Sequence, residues 1–428
     1  MNLRIKEKTG AVLRNLKEYL GSKLTTNSTR TYRFLVFYFS VTIFFMYSAT
    51  YVLFARPRGF KGDFFAAMYN PAWWDGKGIF YGPIFVFERW FVNSFPRLVT
   101  VEFFAILFLI VVILSIILLS RIIHADRVDR LFILLIFAAN TFLYYSFSVA
   151  ANPEVLELIF LLTMWWAISR RLSKTAYFFF AIAVMTKIVP IIFFPILLYV
   201  FTPQALLVSV FTVIGSLLVT ALGQHEQLML ILKDLIPVSI VDPQPNSEQF
   251  LGLSTALARV VGIAPGGDFN TVTNIAITVV IIIFLFICYL TFAFFRKTTT
   301  TNYAIHIAYL FSAYMSLMPI MHFTNTHRHT YLFLAPIFIS LKFVFFKDNN
   351  KKQAQVYFRI LLVLFCTYSF LPLYFLDIFP VSKLAGIHLG ETYYSYVMIT
   401  EPVWTNLIVV IYIILYGFRL LRSTAESA

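Results

Sequence analysis

The sequence predicts an all-α polytopic membrane protein, and three observations carry that reading. Of the 428 residues, 60% are hydrophobic and only 13% are charged, far outside the composition of soluble domains. Apolar runs such as Phe34 to Phe54, Val99 to Ser120 and Val272 to Phe294 hold roughly 20 residues each, enough to cross roughly 30 Å of hydrocarbon as helix. None of these runs shows the alternation that barrel strands require.

The first thirty-three residues carry Arg4, Lys6, Lys8, Arg14, Lys17, Lys23, Arg30 and Arg33 against two glutamates. No small-residue cleavage site follows, so no removable signal peptide is expected. Leu3, Val12, Leu13, Leu16 and Leu20 recur at near-helical spacing among the cations. This suits an amphipathic helix on an anionic membrane surface; a solvated basic tail is the alternative. The net charge of +14 falls in short clusters between spans, which explains it through topology rather than nucleic-acid binding. Cys288 and Cys366 lie inside apolar runs, so neither a disulfide framework nor a thiolate metal site is expected.

Spans are expected near 34–54, 99–120, 131–149, 155–169, 204–222, 270–294, 303–320, 330–346, 358–376 and 403–418. The stretch 175–202 is the exception. As one helix it would measure about 42 Å, overlong for one crossing and short for two. Charge decides: the basic clusters are the N-terminus, Arg121 with Arg127 and Arg130, Arg170-Arg171-Lys174, Arg296-Lys297, Lys347 with Lys351-Lys352, and Arg419 with Arg422. Short basic loops stay cytoplasmic, and all these clusters fall on one side only if 175–202 doubles back. A hairpin with Lys187 at its tip is therefore expected, its arms too short to reach the outer surface. An ammonium inside the bilayer needs water, protein or an anionic partner, and Pro190 interrupts the helix beside it.

This gives about 12 transmembrane helices with both termini cytoplasmic: a basic segment 1–33, one membrane domain 34–418 and a cytoplasmic tail 419–428. By the same parity the opposite, extracytoplasmic face collects the loops 55–98, 223–269 and 377–402, the turn Asn152-Pro153-Glu154 and the run His322 to His329.

The polar residues of that face are the candidate site. Asp63 precedes an aromatic-rich run and the turn Asn70-Pro71. A carboxylate partly shielded among aromatics can act as general base; a helix N-cap is the bland alternative. His322, Asn325, His327, Arg328 and His329 crowd one loop between spans. Histidines two apart do not share a helix face, so phosphate binding suits this loop better than metal. Asn246, Gln249, Ser254 and Arg259 supply groups that hydrogen-bond sugars. Glu154 and Glu157 share one face of a span.

Together these motifs resemble glycosyltransferase family 87, within the GT-C superfamily of polyprenyl-phosphate-sugar-dependent membrane enzymes. In that family an Asp begins the first outer loop and an aromatic run ends in Tyr-x-Pro, matched here by Asp63 and Tyr81-Gly82-Pro83. A basic cytoplasmic turn leads through an apolar stretch to a Lys shortly before Pro, matched by Arg170-Arg171, Lys187 and Pro190. Gln249 to Arg259 loosely match an Asn-x-Ser and downstream Arg; Asn152-Pro153-Glu154 stands in place of a Gly-Gln-x-Asn-like turn. Pro319 through His327-Arg328-His329 replaces a Pro-x-x-Trp-x-His-His element and lacks its Trp.

The resemblance implies a GT-C-like bundle with its cavity on the extracytoplasmic side, no metal and no cofactor. It implies inverting transfer of a sugar, mannose first, from a polyprenyl-phosphate donor to a lipid-linked or glycan acceptor. Asp63 would be the base. Lys187, His327, Arg328 and His329 would hold the departing phosphate; Tyr81, Asn152, Glu154, Gln249, Arg259 and His322 would contact sugar or acceptor. Two other readings compete: a lipid or solute transporter or flippase, which also uses Pro-interrupted spans around an intramembrane charge, and a glycan polymerase or ligase with a diphosphate-linked donor.

Overall fold

The computed structural model describes residues 28–50, 94–95, 97–140, 154–187, 189–223, 253–254, 256–257, 269–299, 302–321, 333–347, 356, 359–360 and 391–426. Among them no strand occurs. The helices are α1 (Ser28–Thr50), α2 (Arg97–Ile122), α3 (Arg127–Ala139), α4 (Glu154–Ser169), α5 (Ser173–Thr186), α6 (Pro203–Gly223), α7 (Phe269–Lys297), α8 (Tyr303–Met321), α9 (Leu334–Lys347) and α10 (Glu391–Glu426), with a 3-10 helix at Val189–Val200. Five of them, α1, α2, α7, α8 and α10, are long and apolar enough to cross a membrane, and the chain is a membrane protein.

Among the described residues element bounds follow the expected spans with three differences; the expected surface helix within 1–27 and the expected span 358–376, apart from 359–360, lie outside the described residues. The first helix starts at Ser28 and takes Arg30 and Arg33 into its first turns. Helix α3 stops at Ala139, where Asn140 turns extended (φ −80, ψ 92); the rest of the expected span lies outside the described residues. Helix α10 begins at Glu391 rather than near 403 and runs 36 residues, about 54 Å, well beyond the hydrocarbon thickness. Its apolar window is Val403–Arg422.

Helix α8 is the hub, packed against α4, α7, α9, α10 and the 3-10 helix. An aromatic column holds it there. Trp165 of α4 stacks on Phe311 at 4.4 Å between ring centres, Phe193 of the 3-10 helix lies 5.4 Å from Phe311 and 5.6 Å from Tyr314, and Phe284 of α7 lies 6.4 Å from Tyr314. Lipid tails are as apolar as leucine, so helix association in a membrane depends on packing and internal hydrogen bonds rather than on escape from water. The hub satisfies most of its polar atoms accordingly, the buried His306 Nε2 being left without a partner among the described residues. Tyr309 donates to the Ile413 carbonyl at 2.8 Å, Ser312 to that of Tyr309 at 2.7 Å, and the Tyr314 and Thr291 hydroxyls meet at 2.8 Å. At the periphery α1 packs on α3 and sends the Tyr47 hydroxyl to the Ala105 carbonyl of α2 at 2.5 Å.

The cation-bearing helix ends gather at one end of the bundle. There Arg127 lies over the Tyr32 ring at 5.7 Å, Arg171 over Tyr303 at 4.9 Å, and Lys297 donates to the Leu421 carbonyl at 3.4 Å. Lys342 of α9 pairs with Asp129 in the first turn of α3 and lies 4.6 Å from the Phe132 ring centre.

Candidate functional site

The chain reverses direction at Lys187. Helix α5 ends at Thr186, and Lys187 is extended (φ −153, ψ 140) with its N–H still bonded to the Ala183 carbonyl. Pro190 lies three residues on and has no N–H to donate to the Thr186 carbonyl, so the α-helix does not continue through it. The return arm is paired with the outgoing one: Tyr177 donates to the Leu197 carbonyl at 3.5 Å, and Phe180 lies 6.2 Å from Phe194. Both pairs are centred on position 187, whereas an uninterrupted helix would hold residues 177 and 197 about 30 Å apart.

A 3-10 return arm solves the length problem seen in the sequence. The 14 residues of α5 rise about 21 Å, and at about 2.0 Å per residue the 12 of the 3-10 helix rise about 24 Å. The arms match in length although they differ in residue number. The chain thus returns to the cationic end, where Tyr199, Val200 and Phe201 meet Arg171 and Tyr303 around one cleft. Lys187 sits about 21 Å from that end, deep for a bilayer of about 30 Å hydrocarbon. It is 8% exposed.

Beside the hairpin lies an apolar cavity of about 680 Å³ between its two arms, α6 and α7, lined by Phe180, Val184, Ile191, Phe194, Val213 and Phe284 among others. Ser209 is the polar residue of its lining. A cavity of this size and character takes an apolar chain rather than a sugar.

Of the sequence-derived candidates, Lys187, Glu157 and Ser254 are the residues placed in full. Glu154 is the first residue of α4, and Glu157, one turn on, is buried. Asp63, Tyr81, Asn152, Gln249, Arg259, His322, His327, Arg328 and His329 lie outside the described residues. Among the described residues no three His, Cys, Asp or Glu side chains come together in a way that would hold a metal ion.

The sequence reading treated Arg171 only as part of a basic turn and gave His124 no role, yet both have positive φ, 57 and 50. In each case the turn closes a helix with the two reversed hydrogen bonds of a Schellman motif: Leu172 N–H to Ala167 carbonyl and Arg171 N–H to Ile168 carbonyl, then Ala125 N–H to Ser120 carbonyl and His124 N–H to Arg121 carbonyl. Glycine is the usual occupant of that left-handed position, and any other residue there costs about 1 kcal/mol. Two side-chain interactions were also invisible beforehand. One is the Lys342–Asp129 pair. The other is His306, whose Nδ1 meets the Thr298 hydroxyl at 2.9 Å while that hydroxyl donates to the Phe294 carbonyl at 2.6 Å; His306 therefore carries its proton on Nδ1 and donates it to Thr298.

No protein-family profile matches this chain, and no curated protein matches it in sequence.

Proposed function

We propose that the protein is a membrane glycosyltransferase that moves a sugar from a polyprenyl-phosphate donor to a lipid-linked or glycan acceptor. The observation that carries this reading is the reversal at Lys187: a buried ammonium at the tip of an intramembrane hairpin whose arms border an apolar cavity of about 680 Å³. A donor of this class joins a phosphate to an isoprenoid chain, so it needs a cation deep in the bilayer next to an apolar groove.

In this reading the cationic end faces the cytoplasm with both termini, and the hairpin tip points to the extracytoplasmic side. Asp63 takes the proton of an acceptor hydroxyl as its oxygen attacks the anomeric carbon. The bond from that carbon to the phosphate oxygen breaks on the opposite face, and the electron pair leaves with polyprenyl phosphate. Lys187, His327, Arg328 and His329 stabilise the charge on that phosphate, a contribution that grows where water is excluded. Tyr81, Asn152, Glu154, Gln249, Arg259 and His322 hold sugar and acceptor, and the step calls for neither metal nor cofactor.

The test is incubation of purified, reconstituted protein with radiolabelled polyprenyl-phosphate-mannose and a membrane lipid extract. A labelled glycolipid that persists in EDTA is expected. Asp63→Asn should lose roughly 10²–10⁴-fold in turnover while donor binding is kept, and Lys187→Ala should lose about a hundredfold. Abolition by EDTA with rescue by magnesium or manganese would overturn the metal-free scheme. The reversal also favours a lipid carrier, because helices broken within the membrane around a charge are a transporter feature. Movement of labelled donor across vesicles that is indifferent to Asp63→Asn, without product, would establish the carrier instead.

A further inference from the structure

We propose that the cleft at the cationic end, centred on Arg171, binds the phosphodiester headgroup of an anionic glycerophospholipid. The cleft holds about 400 Å³ and is lined by Arg171, Ser173, Tyr199, Phe201, Thr298 and Tyr303 together with Val200 and Phe295. It is far from the hairpin tip and plays no part in the transfer reaction above.

Four observations converge on this site. Arg171 occupies the left-handed position (φ 57) of the Schellman turn that closes α4, which fixes where its side chain leaves the backbone. Its guanidinium lies over the Tyr303 ring at 4.9 Å, and Tyr303 is itself anchored by donating to the Ile168 carbonyl at 2.8 Å. A guanidinium stacked on one face keeps its edge N–H groups for a phosphate and loses little freedom on binding it. Among the described residues no carboxylate pairs with Arg171, and the segments that meet here, 170–174, 199–203, 295–299 and 302–303, carry Arg170, Arg171, Lys174, Arg296 and Lys297 without one acid.

The surroundings say which phosphate. Leu172, Phe201 and Phe295 are exposed large hydrophobic residues, two of them in the cleft lining. A free phosphate has no use for such a rim, whereas a lipid lays its acyl chains along it while the headgroup reaches Arg171 and the Ser173 hydroxyl. Topology accounts for cations at this end, but it does not call for a cleft, an aromatic seat or a strained turn beneath one of them.

The experiment measures binding of phosphatidylglycerol to the full-length protein by native mass spectrometry and by the upward shift in melting temperature. Phosphatidylcholine of the same chain length and inorganic phosphate form the other arms. Selective retention of phosphatidylglycerol is expected, with inorganic phosphate failing to displace it at millimolar concentration. Arg171→Gly, which relaxes the backbone as it removes the guanidinium, should weaken retention at least tenfold, whereas Arg121→Ala, an equal loss of charge from another exposed position, should leave it within twofold. Ser173→Trp keeps every charge and fills the cleft, and should weaken retention as Arg171→Gly does, giving a second reading independent of the first variant's folding. Equal losses in Arg171→Gly and Arg121→Ala would reduce the effect to net charge and overturn the site. Displacement by inorganic phosphate would overturn the lipid as its occupant.

Discussion

The spanning windows of α1 and α8 have the same mean hydropathy, yet 11% of that of α1 is buried and 83% of that of α8. The two differ in what the side chains can do for one another. Helix α1 presents Phe34, Phe37, Phe44 and Phe45 outward, groups equally content among lipid tails. Helix α8 brings His306, Ser312 and Ser316 into the buried interior together with Tyr309 and Tyr314. In hydrocarbon such groups must find partners within the protein, and they find them in α7, α10 and their own helix. The more apolar helices make the same point from the other side: α2 and α7 are the highest in hydropathy among the five, and most of each window remains on the outside. What sets α8 apart is that its polar side chains lie where other parts of the protein can satisfy them.

The largest separation between the two helices is expected from Phe311→Ala in α8 against Phe44→Ala in α1. Phe311 touches Trp165 and Phe193, so its removal opens a cavity at the hub and should cost about 3–5 kcal/mol. Phe44→Ala should stay within about 0.5 kcal/mol. Thermal unfolding in one detergent compares them directly, and similar shifts would mean that α8 does not organise the bundle.

A smaller effect tests the hub from its neighbour. Gly417 of α10 lies against Tyr309, and a Cβ there would fall 2.6 Å from Tyr309 Cζ and 2.9 Å from Leu290 Cδ1. Because Tyr309 is buried and tied to the Ile413 carbonyl, it cannot swing aside cheaply. Gly417→Ala should cost about 1–3 kcal/mol by overpacking, whereas Gly215→Ala, with nothing within 4 Å, should leave the melting temperature unchanged or slightly raised. A neutral Gly417→Ala would show that α10 stands further from α8 than described.

The smallest effect sharpens the picture of α1. If its hold on the bundle depends on the Tyr47 hydrogen bond to the Ala105 carbonyl, Tyr47→Phe should cost about 1 kcal/mol. Proteolysis of the first helix would rise before any change in global melting, and loss of both together would place α1 within the cooperative core.

Much of the framework was legible beforehand because span ends carry their own chemistry. Arg121, Arg170, Lys297 and Lys347 end or closely follow apolar runs, and helices end there or within a residue of them. The reversal at Lys187 was legible for the same reason: only a doubled-back segment keeps the later cations with the earlier ones. The 3-10 form of its return arm was not, since Pro190 and Pro195 disrupt a helix without saying which tighter form replaces it. Of the candidate site, Lys187, Glu157 and Ser254, all buried, and the backbone of Glu154 could be followed from sequence into position.

Membrane insertion depends on properties summed along each segment, its apolar length and the charge at its ends, so the amino-acid order by itself determined that this protein is a helical membrane protein and where the described helices with cations at their ends stop. Pairing depends on which faces meet. Tyr303 with Arg171, Lys342 with Asp129 and Trp165 with Phe311 join segments far apart in the chain, and no local property distinguishes Arg171 from Arg170 or α8 from α1. Only the tertiary structure decided which helix became the hub and which arginine received an aromatic seat, because those choices are made by contact geometry.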